Sequence, residues 1–380
     1  MAATGRRACL AILGLIAGWA GLGTPRPCDA QGAPPPTPWY QEISLDGFLS
    51  SSYSYNFNRP GSGTNGFRVF DFDDNAFKVD VVELAIQKSV SRPRDAGFRA
   101  DLAFGSSVPR VSAASGLFRD GAGNAEDLDL QQAYASYVVP LRSGLRLDLG
   151  KFVTPLGYEV IEGYDGWNDN ATRSFLFGYA IPFTHTGVRA ACAFSPRVSG
   201  TLMVVNGWDN ARDNNREKSV GAQLALTPSP AISVLFSMMW GPERTGNNSD
   251  PRTILDGVAI WKPREGLTIG VNGDWGSEQG AAGGGGDARW SGLAGYVRVA
   301  RATGCALTLR GEVFEDRDGV RTGVDQTLAE LTLSPEKRLG EHMIVRADLR
   351  VDHSNHDVFE EDGGTRDTQA TILLNALYSF

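Results

Sequence analysis

Apolar residues recur at every second position along most of this chain. In the last ten residues, Ile372, Leu374, Ala376, Tyr378 and Phe380 share one face of an extended segment. The same alternation runs through 41–57, 97–105, 231–240, 304–314 and 342–351. A period of two is typical of a β-strand with one apolar face, whereas a helix would repeat every three or four residues. The pattern therefore predicts an all-β protein.

We count sixteen such segments and accept a range of fourteen to eighteen. The segments are 41–57, 76–91, 97–105, 127–139, 144–150, 183–194, 198–208, 218–227, 231–240, 253–262, 266–276, 289–300, 304–314, 324–335, 342–351 and 371–380. Two of them, 76–91 and 127–139, change phase along their length. A phase change of this kind predicts a β-bulge or a misplaced boundary.

The connections between these segments alternate between short and long. The short ones are 91–96, 140–143, 195–197, 227–230, 262–265, 301–303 and 335–340, and they carry mainly Arg and Lys. The long ones fall near 58–75, 107–126, 154–182, 209–217, 242–252, 277–288, 316–323 and 353–367, and they are rich in Asp and Glu. Short periplasmic turns and long external loops are typical of a transmembrane antiparallel up-and-down β-barrel.

In a barrel of this size, alternate residues of each strand face lipid or a water-filled interior. Backbone amides must be paired in hydrocarbon, and a closed barrel pairs them without an edge. The inward, pore-lining candidates are Arg99, Asp101, Arg146, Asp148, Arg189, Arg298, Arg310, Glu312, Arg346, Asp348 and Arg350. Adding Asp46, Asp256, Asp274 and Glu330 leaves seven arginines against eight carboxylates. The wall therefore gives no clear ion preference, and the acidic loops predict a weak cation preference.

The first thirty residues have the layout of a cleavable signal peptide. Arg6 and Arg7 precede an apolar run over 8–22, and small Ala30 ends the segment. A lipoprotein site at Cys28 is the disfavoured alternative. We expect a signal at 1–30, a short periplasmic segment at 31–40 and the barrel over 41–380. Since 31–40 is short, no plug domain of a ligand-gated transporter is expected.

Composition narrows the remaining classes. The chain has 36 basic and 44 acidic residues, a net charge of −8, which disfavours nucleic-acid binding. No segment has the roughly eighteen consecutive apolar residues of a transmembrane helix. Cys192 and Cys305 would remain after signal removal, and whether they pair is open. The terminal aromatics Tyr378 and Phe380 resemble the signal read by the outer-membrane barrel assembly machinery, which we expect as a partner with outer-membrane lipid and lipopolysaccharide.

One stretch of about sixty residues carries a family resemblance. It reads Gly150-Lys151-Phe152, then a Pro-x-Gly-x-Glu loop start at 155–159, then His185-x-Gly187-x-Arg189, and finally an Asn-Gly-Trp-Asp strand end at 206–209. This order resembles the OmpL-like β-barrel porin family. The resemblance implies an outer-membrane porin for passive diffusion of small hydrophilic solutes or ions, without enzymatic activity or cofactor. It also allows a homotrimer. Phosphate- or anion-selective porins share a similar opening and are the nearest alternative.

The longest connection, 154–182, is the candidate constriction loop. With the preceding strand end it supplies Lys151, Glu159, Glu162, Asp165, Asp169 and Arg173. We hypothesise that it folds into the lumen, and the alternative is a loop that stays outside. Lys151 breaks the pattern because its position in the alternation places it on the lipid-facing side. Either a bulge turns it inward or it lies at the rim of the barrel.

Other candidate catalytic and metal sites have weaker support in the sequence. An outer-membrane barrel hydrolase is the alternative class, with His185 as its only candidate residue. His353 and His356 lie in a loop without a third fixed ligand, and Asp71, Asp73 and Asp74 are read as a solvated acidic loop. We therefore expect no metal site.

Overall fold

The computed structural model describes residues 38–115, 117–141 and 144–380. The predicted signal at 1–30 and most of the 31–40 segment lie outside the described residues. From Ile43 onward the chain is one compact unit. Its strands are β1 Ser44–Asn56, β2 Ala76–Lys88, β3 Ala96–Phe104, β4 Leu128–Val139, β5 Leu145–Val153, β6 Thr184–Ser195, β7 Val198–Val205, β8 Ser219–Ser229, β9 Ile232–Pro242, β10 Pro251–Arg264, β11 Leu267–Glu278, β12 Ala288–Ala300, β13 Cys305–Asp316, β14 Gln326–Leu339, β15 Met343–Ser354, β16 Phe359–Glu361, β17 Gly364–Arg366 and β18 Thr368–Ser379.

Sixteen of these strands close into an antiparallel barrel. Each of β1 to β15 pairs with its neighbours in sequence, and β18 pairs with both β15 and β1. The closing register places Phe48 opposite Ser379 and Asn56 opposite Thr371. Strands β16 and β17 form a separate hairpin within the last long loop. The predicted sixteen-stranded barrel is confirmed.

Both predicted phase changes coincide with register shifts. The β1–β2 ladder shifts between Ser50 and Ser51, which leaves Asp80 of β2 outside the pairing. The β3–β4 ladder shifts between Asp101 and Leu102, which leaves Gln131 outside it. An extra residue in one strand reverses the inward and outward faces beyond it. This explains why neither segment keeps one alternation throughout.

The outer surface carries the apolar residues that the alternation assigned to lipid. On β13, Leu309 and Val313 are 42% and 51% exposed, whereas Arg310 and Glu312 between them are 0% and 4% exposed. No helix among the described residues has the length and apolarity needed to traverse a bilayer.

The long loops contain helices that the alternation did not predict. Helix α1, Val108–Ser115, lies in the second long loop, and a π-helical turn, Leu176–Ala180, lies in the third. Short 3-10 turns occur at Trp39–Glu42 and Gly283–Gly285. A short helix inside a loop contributes few residues, so a period of 3.6 is hard to detect there.

An apolar core lies inside the barrel. This differs from the expectation that the inner face is polar and contacts water. Buried inward residues of the strands, such as Trp290 and Phe314, pack with Phe175, Leu176 and Phe177 of the third long loop. Trp290 packs against Gly276, where any Cβ would come within 2.0 Å of the indole ring. The inner face is apolar here because it packs against chain instead of water.

Candidate functional site

The third long loop, residues 154–182, runs through the barrel interior, and we call it the inserted loop. Its Tyr158 amide donates to Asn272 of β11 at 3.1 Å, and Ala180 accepts from the Trp290 indole of β12 at 3.1 Å. Between these points, the Tyr164 amide donates to Glu83 of β2 at 2.8 Å. Strands β2 and β11 lie on different sides of the closed barrel. The inserted loop therefore crosses the lumen.

Arg310 of β13 is the central anchor of the inserted loop. Its buried guanidinium donates to Glu159 at 2.7 Å, to the Thr172 carbonyl at 2.7 Å and to Glu330 at 2.6 Å. Two positions along the same strand, Glu312 accepts the amides of Phe175 and Leu176. One face of β13 thus holds the loop through a cation and an anion together.

Strand β15 continues this anchoring. Arg346, Asp348 and Arg350 alternate along its inner face, and each bonds the inserted loop. Arg346 pairs with Glu162 at 2.8 Å, Asp348 accepts from the Thr172 amide at 2.7 Å, and Arg350 donates to the Arg173 carbonyl at 2.5 Å. On β12, Arg298 pairs with Asp169 at 3.1 Å. These wall residues are covered by the inserted loop.

The tip of the inserted loop is fastened to the opposite wall. Gly163 and Gly166 form an isolated β-bridge, and next to it the Glu83 carboxylate accepts the Tyr164 amide. A Cβ at Gly163 would lie 2.6 Å from the Glu83 carboxylate, so a larger residue here would displace the group that accepts the Tyr164 amide. Arg99 of β3, which also bonds Asp101, pairs with Asp165 at 2.6 Å. The loop is therefore held at both sides of the lumen.

Glu162 is the ionisable group at the middle of this bridge. Burial alone would raise its pKa, but the guanidinium groups of Arg173 and Arg346 outweigh burial and hold the pKa below its ordinary value of 4.5. A carboxylate whose pKa is lowered on folding stabilises the fold above its unfolded pKa, and that stabilisation is lost as pH falls through the lowered value. The anchor is therefore intact at neutral pH.

We expect acid to loosen the inserted loop. Single-channel conductance in planar bilayers should rise only once the pH falls below 4.5, the ordinary pKa of a glutamate, as Glu162 becomes protonated. A Glu162→Gln variant should conduct more at neutral pH and lose most of the acid-induced rise. An equal acid response in Glu162→Gln would contradict this role for Glu162.

Some predicted site residues do not bond the inserted loop. Asp148 of β5 lies between Arg146 at 2.7 Å and Arg189 at 2.8 Å, and all three stay on the wall. Lys151 is 4% exposed and pairs with Asp129 at 3.0 Å.

Two inward carboxylates face each other without a cation between them. Asp256 of β10 is directly opposite Asp274 of β11, and both are 5% exposed. Asn272 donates to Asp256 at 2.8 Å, but neither Asp274 oxygen has a hydrogen-bond partner among the described residues. Like charges directly opposite on adjacent strands destabilise a sheet.

Asp274→Asn is therefore expected to stabilise the barrel. The amide is neutral at every pH and offers a donor to Asp256, so the free energy of unfolding at neutral pH should rise by about 1 kcal/mol. Equilibrium unfolding in denaturant measures this. Asp348→Asn is the matched control and should destabilise, because Asp348 accepts bonds from Thr172 and Ser334. A loss of stability in Asp274→Asn would contradict the prediction.

Sequence reasoning missed two anchors. Glu83 lies next to the phase change of β2, where parity is ambiguous. Arg68 of the first long loop is buried between Asp71 and Asp352, both at 2.5 Å. One signal was available: the apolar run from Phe175 to Phe183 is unusual for an exposed loop.

A small cavity of about 60 Å³ remains between the inserted loop and the wall. The wall side comes from β1 to β4 and β18, and includes Ser50, Ser52 and Asn375. The charged side chains that line the cavity are Asp71, Asp80, Asp129, Glu162 and Arg173. Four carboxylates and one guanidinium face this space.

His185 has a structural environment. Its ring nitrogens bond the Gly207 carbonyl and the Thr154 hydroxyl, each at 3.1 Å. These contacts join the start of the inserted loop to the 206–209 segment, where Asp209 accepts the amides of Phe183 and Thr184. The resemblance motifs therefore meet at the two ends of the inserted loop.

Comparison with known proteins gives one family match. The model of the family described as "Putative beta-barrel porin-2, OmpL-like" matches residues 42–380. No curated protein matches the chain in sequence.

Several solved structures share the fold. An anion-selective porin from Comamonas acidovorans has a TM-score of 0.60 at 11% identity, covering 89% of this chain and 99% of that one. OmpF of Salmonella typhi, in complex with daunomycin, has a TM-score of 0.58 at 11% identity, covering 90% and 99%. A trimer form of OmpT from Vibrio cholerae has a TM-score of 0.52 at 10% identity, covering 89% and 99%. At these identities the likeness concerns the fold alone.

Proposed function

The chain belongs to the OmpL-like β-barrel porin family and is an outer-membrane porin, and from this premise we propose that small hydrophilic solutes and ions diffuse passively past the inserted loop. The observation that carries this proposal is the anchoring of the loop at both walls, through Arg310 on one side and Glu83 on the other. A loop that is fixed at both sides of the lumen narrows the opening through which solutes pass. We propose Lys151, Glu159, Glu162, Asp165, Asp169 and Arg173 as the constriction.

The path of the solute follows the wall formed by β1 to β4 and β18. The opposite wall, β12 to β15, is covered by the inserted loop and by its ion pairs. Arg310, Arg346 and Arg350 bond the inserted loop directly, so their guanidinium groups are engaged by the chain and not by a passing ion. The cavity on this side is lined by the hydroxyl and amide groups of Ser50, Ser52 and Asn375, which suit hydrated solutes.

We propose a cation preference for this path. The carboxylates of Asp71, Asp80, Asp129 and Glu162 face the cavity, against one guanidinium from Arg173. Arg68 and Lys151, the cationic partners of Asp71 and Asp129, do not line the cavity. A cluster of carboxylates raises the local concentration of cations, most strongly at low ionic strength.

Reversal potentials across a planar bilayer in a potassium chloride gradient test this preference. The expected sign is that of a cation-selective pore. An Asp80→Asn/Asp129→Asn double variant should lower the selectivity, while Asp357→Asn, on an external loop, should leave it unchanged. An anion-selective potential in the wild type would overturn the proposal and favour the anion-selective alternative.

The family and the fold indicate a non-enzymatic channel. For the hydrolase alternative, His185 would have to activate a nucleophile, but its ring nitrogens are bonded to a backbone carbonyl and a threonine. We propose that His185 positions the inserted loop. Its replacement by alanine should alter conductance and leave any trace hydrolysis unchanged.

We also propose that Tyr378 and Phe380 act as the assembly signal. Phe380 closes the barrel seam, exchanging two backbone hydrogen bonds with Gly47 at 2.9 and 3.0 Å. Both rings stay on the outer surface, 43% and 57% exposed.

A homotrimer, the form recorded for OmpT, is proposed for this chain, and the mass of the detergent-solubilised protein tests it.

A further inference from the structure

The short-connection end of the barrel carries a concentration of exposed positive charge. Eight cationic side chains at or beside the short connections are exposed, against two exposed carboxylates, Glu265 and Glu341; the cations are Arg92, Arg94, Arg197, Lys262, Arg264, Arg301, Lys337 and Arg338. This excess stands out in a chain whose net charge is −8. By barrel topology this end is periplasmic.

Three of these cations belong to the outer, lipid-facing surface. Arg264 pairs with Leu267, which in turn pairs with Val299, and Val299 is 43% exposed on the outside. Directly paired residues of an antiparallel ladder point to the same side. Arg264 therefore shares the outer face with Val299, and Arg301 comes two positions after Val299.

Lys337 lies in the same row, on β14. It follows Leu331, Leu333 and Pro335 at alternate positions, all of them exposed, and it pairs with Val345 on β15. Its ammonium group donates to the Thr303 carbonyl at 2.8 Å, in the connection that holds Arg301. Lys337 and Arg301 therefore lie close together on the outside of the barrel.

These three cations differ from the arginines of the interior. The inward arginines Arg298, Arg310 and Arg346 each pair with a carboxylate. No ion pair joins Arg264, Arg301 or Lys337 to any part of the chain that the structure describes. Their charge is available to a partner outside the protein.

Exposed apolar residues flank these cations. Trp261, three residues before Arg264, is 50% exposed, and Leu339, two residues after Lys337, is 46% exposed. Aromatic residues mark the membrane boundary, and long cationic side chains reach from apolar surface to the headgroup level. The cations therefore lie where the phosphates of the inner leaflet meet the barrel.

We propose that Arg264, Arg301 and Lys337 form a binding site for anionic phospholipid headgroups in the inner leaflet of the outer membrane. The ligand is a lipid phosphodiester with an uncompensated negative charge, as in phosphatidylglycerol. The β10–β11 and β12–β13 turns are two strands apart, roughly 10 Å, so the row spans neighbouring headgroups. This site goes beyond the proposed diffusion function and does not depend on it.

The test compares lipid binding to the full-length folded protein in detergent micelles. Native mass spectrometry would count phosphatidylglycerol and phosphatidylcholine retained from an equimolar mixture. The wild type should retain phosphatidylglycerol preferentially, and the triple variant Arg264→Gln/Arg301→Gln/Lys337→Gln should lose that preference by roughly tenfold or more, since each cation near an anionic surface contributes about fivefold. The preference should fall with added salt.

A matched control removes three exposed cations from the opposite end. Arg59→Gln/Arg317→Gln/Arg366→Gln should bind lipid as the wild type does. Unchanged single-channel conductance in the first triple variant would show that its barrel is intact. Equal retention of both lipids by the wild type, an unchanged preference in the first variant, or displacement by soluble glycerophosphate at equal concentration would overturn the proposal.

Discussion

Replacing Arg310 with alanine should open the pore and destabilise the barrel together. The guanidinium is fully buried and joins Glu159 and Thr172 of the inserted loop to Glu330 of the wall. Without it, two buried carboxylates lose their cation, which costs about 3–5 kcal/mol. Because the loop can relieve this cost by leaving the wall, we expect single-channel conductance to rise at least about twofold.

Arg189→Ala is the control for this experiment. Arg189 also lies on the inner wall and pairs with a carboxylate, Asp148, but it does not bond the inserted loop. Its loss should change conductance far less. If Arg310→Ala conducted like the wild type while losing stability, Arg310 would be part of the wall alone and the anchoring account would be wrong.

Replacing Trp290 with alanine should also have a large effect, through packing. Trp290 is 1% exposed, lies against Gly276 and donates to Ala180 of the inserted loop. Truncating a buried tryptophan leaves a cavity and typically costs about 3–5 kcal/mol. Unfolding in denaturant should show this loss, and the π-helical turn Leu176–Ala180 should become accessible to proteolysis.

Trp275 provides a matched control on the neighbouring strand. It faces the opposite way and is 43% exposed on the outer surface. Trp275→Ala should lower the free energy of unfolding much less and leave the inserted loop protected. Equal losses for the two tryptophans would mean that the interior core does not stabilise the barrel.

The barrel could be predicted from the sequence because a lipid-facing strand obeys a strict rule. Leu307, Leu309 and Val313 alternate with polar residues since one face meets hydrocarbon. The chain cannot shift by one residue without exposing Arg310 and Glu312 to lipid. The placement of inward and outward residues on β13 and β15 was therefore predictable, residue by residue.

The interior could not be predicted in the same way, since it depends on contacts distant in sequence. Arg310 and Glu159 are 151 residues apart along the chain. Parity indicates that Arg310 points inward, but it does not say which loop carboxylate meets it. Trp290 and Phe314 look like ordinary strand residues until the inserted loop packs against them.

Lys151 shows a limit of predicting side-chain direction from the inward–outward alternation. The alternation places Lys151 on the lipid-facing side, yet it is 4% exposed and pairs with Asp129. This partner is 22 residues away along the chain, and the alternation gives no information about such a contact.

Single-channel conductance of a variant lacking residues 158–172 tests most directly whether the inserted loop restricts the pore. The deletion removes the loop partners of Arg310, Arg346 and Glu83 while keeping the barrel strands. We predict stable channels with a conductance clearly above that of the wild type and a weaker cation preference. Stable channels with wild-type conductance would contradict the account, because the loop would then not limit the passage of ions.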